Sequence, residues 1–537
     1  MTKTIRGRAI AYSMFAAWLA VVLWTTWNHA VWRDEVRALS KALDGPNVFA
    51  MFKGLHTEGH PGLWYLLLRG AHAVAPWPQV LQLISLPVAA ASALLLVRYS
   101  PFDWWVNGLL LAGNFFLFEY SVLARNYGIS MLLLFLLAKL YPRYRMRGPV
   151  LGSLLFLLAN CNAQSVLLAG GFLLFWLVDL AGEEGAGRRQ AIKVYAGNAA
   201  ITAAGVTVCL LTILPAPHYV KPLQSPGNGI VPAEQNAASV PPAIAPAWKA
   251  VLLPGIAFCH LTNSSREAGS YMESIDFSGY GLLLSAILFG STLGLLRVPG
   301  AFVAALATLL AFSLFFTLVY RGSYRQEALW LVFLIACYWI VKARPGSSPE
   351  RGPARLRAFA GPAATAGWGL FLLLILLQAQ IGVSHVYAAA TDGPPFSCSR
   401  DLANLIKSRP DLHDAILLAE PDPLLEPMPF YVDNPTYYVR DRRFGSFSRI
   451  QGSLVQLTLD DLLATARELR EQTNKPVLIL MSHPLDPLSG EHIYQEAHHW
   501  EFIVTPQEIR DFAGATQQVE SFPASLTDEN FDLYLLK

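Results

Sequence analysis

Long apolar stretches alternate with short polar ones through the first 382 residues, and the pattern then changes. The stretches lie near 9–27, 61–75, 79–98, 104–119, 121–140, 149–162, 164–180, 193–214, 279–297, 300–320, 327–342 and 359–382. Most approach the length of about 20 apolar residues that a membrane-crossing helix requires. Basic clusters between them mark cytoplasmic ends. They fall at Lys3, Arg6 and Arg8, at Arg143, Arg145 and Arg147, at Arg188, Arg189 and Lys193, at Arg297, and from Lys342 to Arg357. This places 28–60, 119–127, 215–278, 320–326 and the tail outside. No small-residue cleavage site follows the first stretch, which reads as an anchor and not a removed signal peptide. An inside N-terminus and an outside tail need an odd number of crossings. The segment 61–75, opening at His60-Pro61-Gly62, is therefore read as a re-entrant or tilted helix, leaving about eleven spans.

Beyond residue 383 the apolar runs shrink to strand length, as in Ala415–Ala419 and Val477–Met481. Between them Leu459, Leu462, Leu463, Ala466 and Leu469 share one helical face, with Thr458 as the cap. Strand alternating with helix predicts a small α/β domain over 383–537, against a helical membrane domain over 1–382. The outer loop 215–247 is rich in proline and reads equally as a mobile cover or a passive linker.

Composition agrees with this division. The 537 residues are 54% hydrophobic and 15% charged, far from the roughly one-quarter charged residues of soluble domains. A net charge of +2 gives no bulk field for nucleic acid. The cysteines Cys161, Cys209, Cys259, Cys337 and Cys398 are scattered and form no C-x-x-C pair.

Because charge is scarce, its placement outside is informative. The first outer loop, 28–60, carries Trp32-Arg33-Asp34-Glu35-Val36-Arg37 and then His56-Thr57-Glu58-Gly59-His60-Pro61-Gly62-Leu63. Adjacent carboxylates at a membrane boundary, facing a partly dry cavity, gain basicity and suit general-base work on a hydroxyl. The plainer reading pairs Asp34 and Glu35 with Arg33 and Arg37. Arginines beside outer helix ends, Arg125 and Arg325, suit a phosphate through the guanidinium fork, or else snorkel to lipid headgroups. Lys53 is a weaker phosphate candidate, and Arg321 lies further into its loop. Glu119 either binds sugar hydroxyls or neutralises Arg125. His56, Glu58 and His60 converge as zinc ligands only if their loop folds back.

Asp34-Glu35 after the first span, followed by His60-Pro61-Gly62-Leu63 opening the next helix, resembles the GT-C superfamily of membrane glycosyltransferases. The similarity is to the bacterial branch of aminoarabinose-lipid A transferases and relatives of protein O-mannosyltransferases. Ser121-Val122-Leu123-Ala124-Arg125-Asn126-Tyr127 is similar to that branch's Ser…Arg-x-Tyr motif, and Arg321–Gln326 to the element before a late span. Gly62 stands where the branch commonly has a second proline.

The resemblance implies a GT-C-like polytopic α-helical fold and a transferase in the bacterial cytoplasmic membrane. It would take a sugar from a polyprenyl-phosphate donor and pass it, with inversion, to a lipid, glycan or protein hydroxyl. In that reading Asp34 or Glu35 is the base, Arg125, Arg325 and Lys53 hold the donor phosphate, and His60, Glu119, Tyr127 and Glu58 contact substrate. No cofactor is specified, and a divalent metal is left open. The alternative is a transporter or flippase of a lipid-linked glycan, for which ionisable groups near mid-membrane would be expected.

Overall fold

A computed structural model describes residues 5–56, 58–182, 187–214, 229–232, 247–262, 279–320, 322–344, 354–391, 393–449, 454–486, 488–495 and 500–537. Arg321 and nearly all of the loop 215–247 lie outside these. Helices account for most of the chain up to Ala390, where the last long helix, Ala354–Ala390, ends. The architecture therefore changes there, slightly beyond the boundary read at residue 382.

Seven described helices are long and apolar enough to cross a membrane: Gly7–Asn28, Val80–Tyr99, Ala163–Ala181, Gly187–Ile213, Pro299–Leu318, Tyr324–Ala343 and Ala360–Ala390. The other apolar stretches make shorter helices. The run 104–119 is one helix, Trp104–Ala112, broken at Gly113 and followed by a π-helical turn, Phe115–Glu119. The run 149–162 is the ten-residue helix Val150–Ala159, stopped at Asn160. The segment suspected of not spanning is a twelve-residue helix, Leu63–Val74. The expected count of about eleven thus stands against seven helices of spanning length.

Helix Tyr324–Ala343 is the centre of this body. Every side chain from Ala328 to Ile340 is essentially buried, so it is apolar all round and wrapped by its neighbours. The peripheral helices instead present Leu23, Trp27, Leu83, Leu211 and Leu283 outwards. An apolar outer surface of that kind is solvated by lipid, not water. This is the architecture of a polytopic helical membrane protein.

The tail is α/β. Strands β1 (Gly229–Pro232), β2 (Ile416–Glu420), β3 (Tyr437–Tyr438), β4 (Arg443–Phe444), β5 (Val455–Thr458), β6 (Val477–Met481), β7 (Glu491–Gln495), β8 (Trp500–Val504), β9 (Thr516–Phe522) and β10 (Phe531–Leu536) form three sheets. Their orders are β1-β7-β8-β5, β2-β6-β10-β9 and β3-β4. Parallel β2 and β6 pair Ile416 with Val477 through Glu420 with Met481. Alternate residues of these two strands feed two separate apolar cores. Ile416, Leu418, Val477 and Ile479 face one, and Leu417, Ala419, Leu478 and Leu480 the other. A sheet covered on both faces needs such unbroken apolar strands. Helix Leu459–Thr473 buries Leu459, Leu462, Leu463, Ala466 and Leu469, and the Thr458 side chain accepts from the Asp461 amide at 3.1 Å. Four residues of the proline-rich loop, Gly229–Pro232, form β1, an edge strand on β7.

Candidate active site

The first long helix ends at Asn28, and a short amphipathic helix, Arg33–Leu43, starts after extended Trp32. Glu35 is fully buried under the start of that helix. One of its oxygens accepts from the Trp32 amide at 3.2 Å and contacts His29 Nε2 at 2.9 Å. Its other oxygen accepts from the Ala124 amide at 2.7 Å. Glu35 therefore pins the turn that carries Arg125 onto the helix that carries Asp34. Its oxygens are spent inside the protein, so the adjacent carboxylates divide between two environments.

Asp34 points the other way and keeps about a third of its side chain exposed. Its Oδ2 lies 3.4 Å from Arg125 Nη1 and 3.3 Å from Arg325 Nη1. Arg125 Nη1 also donates to the Asp34 carbonyl. Burial by itself pushes the Asp34 carboxyl up, but Arg125, Arg325 and Arg33 hold it down at about 2. The expectation of raised basicity is thereby reversed, because the two guanidinium groups outweigh desolvation. The local pairing of Asp34 and Glu35 with Arg33 and Arg37 is also not what forms. Arg33 Nη2 binds Asp528 at 2.7 Å, and Arg37 binds Glu58 and Glu426.

Arg325 comes from the first turn of the central helix, whose N-cap is Ser323. Tyr120 donates to the Arg325 carbonyl at 2.7 Å, and Gln326 donates to the Tyr127 hydroxyl at 3.0 Å. The guanidinium rests 5.1 Å from the centre of the Trp32 ring. Glu119 approaches Arg325 Nε at 3.8 Å, so its partner is Arg325 where Arg125 was one expectation. Tyr127 is buried, stacked on Tyr120 and edge-on to His60.

His60 receives Arg125 Nη2 at 3.3 Å. Burial and the Arg125 charge press its pKa down to about 4, so its ring is neutral near pH 7. Gly62 sits against the Phe52 ring, where a Cβ would come within 2.1 Å of a ring carbon. A side chain at this position would have to displace the Phe52 ring. Asn126 donates at 2.6 Å to the carbonyl of Cys161, within the turn Asn160-Cys161-Asn162, which supports the chain just past Arg125.

Glu58 is buried away from this cluster, taking Arg37 at 2.7 Å and Lys41 at 3.0 Å. Burial alone raises the Glu58 carboxyl, but Arg37 and Lys41 bring it down to about 2. His56 bonds the Leu214 carbonyl at 2.9 Å, so His56, Glu58 and His60 each have separate partners and do not converge. Lys53 is exposed on helix Val48–Gly54. The structure thus gathers Asp34, Arg125, Arg325, His60, Glu119 and Tyr127, and leaves Glu35, Glu58 and Lys53 outside the cluster. Sequence reading missed Trp32, Tyr120 and Lys41. Trp32 stands two residues before Asp34, in the stretch that drew attention to the carboxylate pair, whereas Tyr120 and Lys41 carried no signal.

A partly exposed carboxylate between two arginine forks can bind a phosphate through the arginines and a hydroxyl through the carboxylate. Comparison with known proteins adds little to this geometry. No family model matches the chain, and no curated protein does. Among solved structures, arabinofuranosyltransferase AftD from mycobacteria aligns with 97% of this chain and 40% of its own, at 12% identity and a TM-score of 0.32. The chain spans well under half of that protein's length, and a likeness this shallow carries no functional weight.

Proposed function

We propose that this protein is an inverting glycosyltransferase using a polyprenyl-phosphate-linked sugar at the outer face of the cytoplasmic membrane. The observation that carries the reading is the convergence of Arg125 and Arg325 on one oxygen of Asp34, from three distant parts of the sequence. A lipid phosphate is a better partner for two guanidinium forks than one carboxylate oxygen. Its arrival draws Arg125 and Arg325 off Asp34 and removes the charges that depress the carboxyl. Desolvation then dominates, and Asp34 becomes a stronger base when the donor is in place.

Asp34 takes the proton of the acceptor hydroxyl, and that oxygen attacks the anomeric carbon. The bond from that carbon to the phosphate oxygen breaks with its electron pair going to the lipid phosphate. Arg125 and Arg325 stabilise the charge that builds there. One displacement inverts the anomeric centre. Glu119 fixes Arg325, neutral His60 fixes Arg125, and Tyr127 closes the back of the site. Lys53, on an exposed face, is a point of first contact for the phosphate. The acceptor is a lipid, glycan or protein hydroxyl.

Proteoliposomes holding the purified chain and a radiolabelled polyprenyl-phosphate sugar test this reading. A glycosyltransferase moves label from the donor into an acceptor and releases polyprenyl phosphate. Label that changes leaflet while remaining on its lipid supports the transporter reading instead.

A further inference from the structure

On the other side of the central helix lies a second group of reactive side chains, in Cys259, His260 and Glu327. Cys259 and His260 sit in a short 3-10 turn, Cys259–Leu261, that follows helix Pro254–Ala257. Glu327 lies in the first turn of helix Tyr324–Ala343, two residues beyond Arg325. Two residues turn an α-helix by about 200°. Arg325 therefore reaches Asp34 while Glu327 reaches His260.

The ligand atoms of the three residues all lie within 4.8 Å of one another. Cys259 Sγ is 3.6 Å from His260 Nδ1. Tetrahedral zinc with its usual bond lengths holds a sulfur and a nitrogen about 3.5 Å apart. Glu327 Oε1 is 2.7 Å from the same nitrogen. Glu327 is fully buried, and its second oxygen has no hydrogen-bond partner among the described residues. A buried carboxylate oxygen without a donor is costly unless something cationic takes it.

The turn is held at both ends of the group. Gln378 donates to the Leu261 carbonyl, and the Tyr324 hydroxyl donates in turn to Gln378.

From this geometry we infer that Cys259, His260 and Glu327 bind one thiophilic divalent cation, zinc by preference, with a fourth position left to water. One sulfur, one nitrogen and one carboxylate oxygen form a mixed set that suits zinc and disfavours magnesium or calcium. On binding, the Cys259 thiol releases a proton to solvent, and His260 ligates through the unprotonated nitrogen of its neutral ring. Glu327 Oε1 and His260 Nδ1 separate to roughly 3.3 Å to admit the ion. The cation then ties the segment 254–262 to the helix end that presents Arg325. It works as a clamp on the arginine's backbone, remote from the reacting atoms.

The test uses the full-length chain in detergent, stripped with chelator and titrated with cobalt and then zinc. The wild-type chain should bind about one cobalt with a thiolate-to-metal charge-transfer band, and zinc should displace it. Cys259→Ser should lose the band, and both it and His260→Gln should bind zinc roughly ten-fold or more weakly. Asp34→Asn should bind both metals as wild type does. The other four cysteines make Cys259→Ser decisive, and its elution as the same monodisperse species confirms that it has folded. A wild-type chain without the band, or a band that persists in Cys259→Ser, overturns the site. Failure here leaves the proposed sugar transfer standing, since this readout involves no donor.

Discussion

Asp34 is held ionised by the two arginines that a donor phosphate would claim. Replacing Arg325 by lysine keeps a charge but loses the fork. A lysine ammonium reaches one acceptor where the guanidinium reaches Asp34 and Glu119 together. Donor kcat/KM should fall roughly 10- to 100-fold in Arg325→Lys, with the loss read from steady-state transfer at varied donor. His60 gives a separate readout in stability. Its folded pKa is near 4 against an ordinary 6.5, so between those values the unfolded chain binds the extra proton. Stability therefore falls as pH drops from about 6.5 towards 4. The depressed Asp34 and Glu58 carboxyls extend the loss below about 4.5, since the unfolded chain takes up protons there that the folded carboxyls, at about 2, do not. Thermal unfolding across pH 7 to 4 should show a midpoint that declines, and less so in His60→Gln. A midpoint equally steep in both would contradict the assignment. At this scale the sequence was legible where charge was rare. Asp34, Arg125 and Arg325 stood out because each lies at the outer end of an apolar run. Partner choice was not legible, since Arg33 and Arg37 bind residues nearly five hundred and four hundred positions away.

Among the elements, helix Arg33–Leu43 and the turn at Ala124-Arg125 decide the geometry, and Glu35 joins them. Three donors share its two oxygens: the Ala124 amide on one, the Trp32 amide and His29 on the other. In Glu35→Gln the amide group must oppose at least one N–H, which leaves a buried donor unmet. The variant should lose about 1–3 kcal/mol of stability. Asp34→Asn should unfold close to wild type, so the neighbouring carboxylates separate into a structural and a chemical one. Denaturation of the two variants side by side checks this. Apolar period predicted the helices and strands β2 and β6 well, because burial on all sides leaves an unbroken hydrophobic run. It overestimated spans where one run contains a break. Gly113-Asn114 interrupts 104–119 with a single polar residue inside an otherwise apolar run, and Asn160 halts the helix begun at Val150.

Across the whole molecule, the tail closes over the first outer loop. Arg33 meets Asp528 and Glu529, Arg37 meets Glu426 and the Ser448 carbonyl, and Tyr431 donates to the Val31 carbonyl at 2.8 Å. Residues flanking Asp34 are thus fixed from the far end of the chain. Removing one member of a buried ion pair strands the other. Glu426→Gln should loosen the tail, seen as faster limited proteolysis between 391 and 398 and slower transfer. Unchanged cleavage would show that the tail docks without this pair. The presence of an α/β tail could be read from the shortened apolar runs, but its docking could not, because no local pattern records which surface charge meets which.

The central claim is that Asp34 is the base of a sugar transfer made possible by the arginines around it. The direct measurement is the rate at which radiolabel passes from polyprenyl-phosphate sugar to acceptor in proteoliposomes of wild type and Asp34→Asn, matched for inserted protein. The account predicts transfer by wild type and a loss of about 10²- to 10⁴-fold in Asp34→Asn, as expected for removal of a general base. Equal rates in the two proteins would contradict it.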